Sequence, residues 1–383
     1  MLCSVRGLCG PMINFTTMHK LKLFVLATIA VATVSCAEML GTQRVSVEIP
    51  ERQNWKGVTL HGDIAKIEAL SYELEGRYGL DYKGELLNQT TTEFNVRGDV
   101  ESIVSVDDML YASESYTFKY DESGRLISTS NSYAGDSFEH RYTLDDYGCI
   151  IVDELYLGNG LLDSRTLVEY DRKGNDVEYT SLDSFGNINY VQNRTFDDLN
   201  RLTEVVIADG NDQVRSREVY TYDTQGRKVA VVTYEGYDLL KSREAFVYGE
   251  SGDSVEHSTY SDLDELTGRT VERFDAEGRL SEVVTYVVAE TPESTKRIIY
   301  DESGRKSEER VSNGQGVETL VVTYKYDANG NIIEAREQNI AERSLRLTTY
   351  AYDEKQNLTE EREYSGLYLE SQSITEYQIT YRE

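Results

Sequence analysis

The sequence predicts an all-β fold of tandem β-hairpins in one long antiparallel sheet. Three observations predict it: a phrase that returns at a fixed interval, a glycine at its centre, and two strand-like runs between successive copies. The phrase stands as YKYDANGNI at 324–332. Its central Gly330 has equivalents at Gly98, Gly124, Gly148, Gly174, Gly226, Gly252, Gly278 and Gly304, with Asn200 and Gln356 filling two further slots. From 148 to 356 every step is 26 residues, and the step from 124 to 148 is 24. Periodicity of that kind marks an internal repeat.

Each turn follows from its residues. Four places before the glycine slot stands an aromatic residue, among them Tyr120, Tyr222, Tyr300 and Tyr326, with Leu144 the exception. Three places before it is an acid in nine of eleven copies, including Asp121, Asp223, Asp301 and Asp327. One place after it come Arg125, Arg201, Arg227, Arg279 and Arg305, or often Asn. A type I turn closed by a left-handed residue joins antiparallel strands, and Gly124, Gly226, Gly304 and Gly330 take that conformation without steric cost. Asp accepts hydrogen bonds from NH groups within such a turn. Asn200 tolerates the left-handed region better than most residues.

The strands come next. Runs such as RKVAVVTYE (227–235) and REAFVYGE (243–250) are rich in β-branched and aromatic residues, and a short polar link separates them. Only Pro292, of three prolines, falls among the repeats, as paired strands require. Eleven turns imply about 22 strands, on the order of 100 Å across at the usual strand spacing. So wide a sheet should coil into a spiral, a tube or a partly closed shell, with aromatic residues packing between layers.

The phrase aromatic-Asp-x-x-Gly-Arg, complete at Tyr120–Arg125, Tyr222–Arg227 and Tyr300–Arg305, resembles the bacterial YD-repeat (Rhs-repeat) family over residues 90–383. The resemblance implies tandem hairpins in a spiralling sheet, which in large toxin members wraps into a shell. Two departures stand out. The family's usual repeat is somewhat shorter, and the chain runs to Tyr381-Arg382-Glu383 in a strand-like segment, so no toxin cargo is expected.

The N-terminal stretch is organised differently. Residues 1–35 read as a signal peptide, with translation starting at Met1, Met12 or Met18: Lys20 and Lys22 precede an apolar run that ends in small residues. Thr33-Val34-Ser35-Cys36 resembles a bacterial lipobox, despite Thr33 in place of the usual leucine, and makes Cys36 the expected lipid-bearing residue. Residues 36–57 then form a tether and 58–383 one hairpin-repeat domain. The expected location is the outer membrane or cell surface, held by the lipid, or otherwise the periplasm.

Removing the first 35 residues takes away Arg6, Lys20 and Lys22 and no acid, leaving 36 basic against 68 acidic residues, a net of −32. That charge speaks against nucleic acid as a partner, because phosphates need a basic surface.

No catalytic constellation emerges from the composition. Beyond residue 35 only Cys36 and Cys149 remain, and His61, His140 and His257 are widely separated. No disulfide framework, cysteine zinc site, phosphate loop or cofactor motif is formed, so neither a metal nor a cofactor is expected. The DANGN turn at 327–331 lacks the spaced acids of a calcium loop. Glu178, Glu204, Glu256, Glu282, Glu308, Glu334 and Glu360 share one repeat slot, and Arg165, Arg217, Arg243 and Arg269 share another. These columns are expected to offset one another on a solvated surface.

Tyrosine is the most suggestive residue type, with 29 copies. Besides the turn column, Tyr156, Tyr234, Tyr260, Tyr286 and Tyr364 recur eight places after the glycine slot. An apolar ring with a polar tip suits packing in a sheet and also contact with sugars or proteins. The sequence therefore predicts a non-enzymatic, surface-anchored binding or scaffold lipoprotein for a glycan or an envelope protein. The alternative is a structural component of an envelope, secretion or toxin-related assembly.

Overall fold

The computed structural model describes residues 60–77, 80–107, 112–287 and 291–383. The expected signal peptide (1–35), Cys36 and the expected tether to residue 57 lie outside them. Among the described residues there are twenty-four strands and no helix. Every pairing is antiparallel, each strand beside its sequence neighbour. The first strand, Ile64–Arg77, pairs with the second, Leu80–Phe94, on one edge and with the last, Glu370–Tyr381, on the other. The sheet is therefore a closed barrel.

Eleven turns flank twenty-two strands, as expected; the first and last strands are the additional two, and they make the seam. Closure removes the edges an open sheet would expose to other chains. Strand packing runs between sheet neighbours. The aromatic residues accordingly pack sideways along a single-layered wall, where the sequence had suggested packing between layers. Among the described residues only 13 apolar ones are buried, too few for two stacked sheets over this length.

The repeated turns have the predicted geometry. In the copy at 121–125 the Gly124 NH donates to the Asp121 carbonyl and the Asp121 NH to the Arg125 carbonyl, both at 2.9 Å. Asp121 Oδ1 also accepts from the Arg125 NH at 2.9 Å. Gly124 has φ +83°, and its two non-glycine counterparts Asn200 and Gln356 share the left-handed region at +66° and +70°. All these turns lie on one rim, here called the YD rim. The intervening links form the opposite rim, and several repeat the device: Asp183 and Asp209 each cap the NH groups two and four residues on.

Two interactions tie YD turns to their neighbours where the tyrosine and the arginine are present. The tyrosine hydroxyl donates to the carbonyl of the residue 20 places earlier: Tyr120 to Val100 at 2.8 Å, Tyr222 to Leu202 at 2.7 Å, Tyr300 to Leu280 at 2.8 Å and Tyr326 to Lys306 at 2.6 Å. Burial pushes the Tyr222 and Tyr326 hydroxyls upward in pKa, so they stay protonated as donors. The turn arginine then lies over the ring of the next copy's tyrosine, Arg201 on Tyr222 at 4.6 Å and Arg279 on Tyr300 at 4.4 Å. It also pairs with its own turn acid, as Arg201 does with Asp197. Tyr-Asp-x-x-Gly-Arg is thus one mechanical unit: the Asp and Gly shape a turn, and the Arg and Tyr join it to the next.

The seam is held differently. Leu60, Ile64, Ile67, Ala69, Phe94 and Tyr377 form an apolar cluster there. Buried Asn357 accepts from the His61 NH at 2.8 Å and donates through Nδ2 to the His61 carbonyl and the Tyr381 hydroxyl, both at 2.7 Å. Arg382 Nη1 reaches Asp63 and the Ile64 carbonyl, each at 2.8 Å.

Candidate ligand-binding face

Strand alternation and register sort the wall into two faces. On one, Arg217 stands opposite Tyr234, Arg243 opposite Tyr260, and Arg269 opposite Tyr286. The other carries Asp153, Glu244, His257, Glu309 and Glu361 at mid-strand. A wall that crosses a bilayer must turn one apolar face to lipid. Neither face here does so, because Arg217, Glu256, Arg269, Glu282 and Arg297 interrupt the first.

Four of the five predicted tyrosines lie at one level of the first face, close to the rim opposite the YD turns. Each meets an arginine from the preceding strand: Arg141 over Tyr156 at 4.1 Å, Arg217 over Tyr234 at 5.3 Å, Arg243 over Tyr260 at 3.8 Å, and Arg269 over Tyr286 at 4.0 Å. Tyr364 serves the seam instead, its hydroxyl donating to Asp81 Oδ2 at 3.0 Å. Arg141 stands outside the arginine column, and Arg217, Arg243 and Arg269 were legible only as that separate column. The signal that joins them to the tyrosines is a constant offset of 17 residues, Arg217 to Tyr234, Arg243 to Tyr260 and Arg269 to Tyr286.

The glutamate column is paired internally. Glu204 accepts from Arg217 at 2.6 Å, Glu360 from Arg362 at 2.6 Å, and Glu334 meets Lys325 at 2.8 Å. The two columns meet only at Arg217–Glu204 and Arg269–Glu256; Arg165 turns instead to Glu154 and Arg243 to Asp264, and other cations pair with Glu334 and Glu360. Among the described residues no cluster of three or more His, Cys, Asp or Glu is placed to hold a metal ion.

Where the arginine–tyrosine series begins, the face dips into a depression of about 350 Å³ whose lining includes Ser115, Lys119, Ser130, Ser132, Glu139 and Tyr156. Glu139 accepts from Arg141 Nη2 at 2.7 Å and from Ser128 Oγ at 3.2 Å. The Arg141 bond first, then those from Ser128 and the nearby charges, hold its carboxyl below the usual range against the opposing effect of desolvation. Hydroxyls, a fixed carboxylate, an ammonium and the rings of Phe138 and Tyr156 offer both directions of hydrogen bonding beside apolar surface.

The histidines are scattered and structural in their contacts. His140 Nδ1 lies 2.9 Å from Asp153 Oδ1, and His257 stacks on Phe246 at 4.5 Å while reaching Glu244 at 3.0 Å. Cys149 is buried in its turn slot, its NH donating to Asp145 Oδ1 at 3.0 Å.

No protein-family model and no curated protein matches the chain. Solved structures with a similar course include a porin-like protein from Bacteroides uniformis, with 12% identity, TM-score 0.26, 84% of this chain covered and 99% of that one. The TcdB2–TccC3–TEV structure has 11% identity and TM-score 0.23, covering 82% of this chain and 25% of the other. A porin-like protein from Bacteroides vulgatus gives 10% identity and TM-score 0.20 over 60% of this chain and 93% of that one. Likenesses at these scores carry no argument about activity.

Proposed function

We propose that the protein is a non-enzymatic binding scaffold of the bacterial cell envelope, lipid-anchored at Cys36, whose first barrel face holds an extended, hydroxyl-rich polymer such as a glycan. The observation that supports this most is the recurrence of one arginine–tyrosine stack at one level of the wall. Successive stacks stand two strands apart, roughly 10 Å at the usual spacing, which suits a polymer of short repeating units. Many weak equivalent contacts then add through avidity. The guanidinium covers one side of each ring, leaving the other side and the guanidinium edge as the contact surfaces. The depression beside Tyr156 supplies one concave subsite at the start of the series.

The test is binding of residues 37–383 to an array of bacterial, host and dietary glycans at physiological salt. Saturable binding should vanish in the Tyr234→Ala/Tyr260→Ala/Tyr286→Ala variant, with circular dichroism unchanged, and persist in the corresponding Phe variant. Binding that ignores both sets of changes would overturn the assignment to this face. Radiolabelled palmitate incorporation that survives Cys36→Ala would overturn the anchor.

A second reading, a structural ring within a larger envelope, secretion or toxin-related assembly, is favoured by a different feature, the exposed apolar tips on the rim opposite the YD turns. A clean negative on the array would move the weight to it.

A further inference from the structure

The two rims differ in what they present to solvent. In the YD turns the exposed large apolar residues are Val96, Tyr147 and Leu199, and Val247 and Ile299 are exposed at the strand ends leading into two others. On the opposite rim most of the described hairpins carry at least one, and the most exposed include Phe185 at 89%, Tyr368 at 86%, Leu263 at 74%, Leu239 at 65% and Leu161 at 64%. Isolated exposed apolar side chains are ordinary, but a series of them along one rim of a protein marks an interaction surface. They are not required by the turns. Phe185 occupies the tip between Asp183 and Gly186, where any residue can supply the NH that Asp183 caps.

The same rim is acidic. Asp212, Glu235, Asp238, Asp262, Glu265 and Glu342 are exposed in its turns, against Arg215, Lys241 and Arg343 as nearby cations, and Arg215 is already paired with Asp209. Tyr237, Leu239 and Leu263 lie among four of these acids on two successive hairpins, and Arg217, stacked on Tyr234, also lies 5.1 Å from the Tyr237 ring. That arginine joins the tip to the wall below it.

We infer that this acidic, apolar rim docks a protein partner through a basic amphipathic segment. Charge selects that occupant. A second copy would bring two acidic rims together, and an anionic bilayer would be repelled in the same way. The described chain begins at the far side, where His61 is held by Asn357 on the YD rim. A basic helix with leucines along one side would place those leucines between the tips and its lysines against the acids. The inference does not depend on glycan binding, because Leu239, Leu263 and the acids lie at the turn tips; Arg217 alone touches both a wall stack and a tip, at Tyr237.

The probe is a fluorescent fourteen-residue amphipathic Leu/Lys peptide, compared with its Leu/Glu counterpart, titrated with residues 37–383 and followed by anisotropy. The Leu/Lys peptide should bind saturably and the Leu/Glu peptide should not. Tyr237→Ser/Leu239→Ser/Leu263→Ser, on the two successive hairpins a helix of that length can span, should weaken binding at least tenfold, and Val96→Ser/Leu199→Ser on the YD rim should leave it unchanged. Asp238→Asn/Asp262→Asn should weaken it and flatten its salt dependence. Equal binding of both peptides, no binding, or loss in the YD-rim control would overturn the proposal. So would a concentration-dependent dimer abolished by the triple serine variant, which would make a second copy the occupant, or equally strong binding to zwitterionic vesicles. Loss of glycan binding with peptide binding intact would sink the preceding function and leave this inference standing.

Discussion

At the seam, Ile64, Ile67, Phe94 and Tyr377 are all 5% exposed or less, whereas from Asp176 to Tyr286 the only buried apolar side chains are Val231 and Val284. The seam joins strands about 300 residues apart through an apolar cluster, a buried amide and an arginine clamp. The wall joins neighbours through hydrogen bonds and repeated Asp–Arg–Tyr units. The difference follows from what each junction must overcome. Neighbouring hairpins are already close in sequence, so modest polar contacts fix their order, while closing the whole chain carries a larger entropic cost. Apolar burial supplies more per residue than exposed ion pairs do.

That comparison is broken most directly at Ile67, which is fully buried. Ile67→Ala should cost about 2–5 kcal/mol in urea-induced unfolding, with Val231→Ala in the wall costing less. Equal losses at the two sites would mean that seam and wall are held alike. Next is Asn357→Ala, which leaves the His61 NH, the His61 carbonyl and the Tyr381 hydroxyl without their amide, a loss of about 1–3 kcal/mol for a buried polar group left unmade. Hydrogen exchange should accelerate in the first and last strands and stay unchanged near Tyr222. Acceleration spread evenly around the barrel would contradict a local latch.

A smaller effect is expected within the wall. Tyr326→Phe keeps the ring under Arg305 but removes the bond to the Lys306 carbonyl, so stability should fall by about 1 kcal/mol. Phe94, Phe196 and Phe274 already occupy equivalent positions without that hydroxyl. A loss as large as that of Ile67→Ala would show the ladder to be as critical as the seam.

The smallest effect is a pH dependence from His140. Its bond to Asp153 first, and that carboxylate's charge with it, raise its pKa against the lowering effect of burial. A raised folded-state value makes the contribution complete below the unfolded pKa of about 6.5 and lost as pH rises through the folded value. Stability measured from pH 5 to 9 should therefore decline slightly across that interval in the native protein, and the His140→Gln variant should lack that component. An unchanged slope in the variant would remove His140 from the account.

Much of this was legible in the sequence. Gly124, Asp121 and Arg125 announce their turn because each is the residue the geometry needs, and counting such phrases gives twenty-two of the strands. Closure was not legible. The strand Ile64–Arg77 carries no repeat phrase, and its pairing of Tyr72 with Ile374 is a contact no local pattern encodes. Face assignment was equally opaque, for a reason the structure supplies: with a single-layered wall, both faces remain partly solvated, so valine and glutamate are tolerated on either. Of the candidate site, the level of Tyr234, Tyr260 and Tyr286 could be read from their common slot. The apolar tips could not, because the links that bear Phe185, Leu239 and Leu263 differ in length and composition.

The regular turn spacing has a consequence for how such a ring can change size. Each copy contributes one ascending and one descending strand, so duplicating or deleting a 26-residue unit preserves the antiparallel match at the seam while altering the girth by two strands, roughly 10 Å at the usual spacing. Bore thus varies in discrete steps with gene length, and recombination between copies becomes a caliper that can be reset without redesigning the clasp.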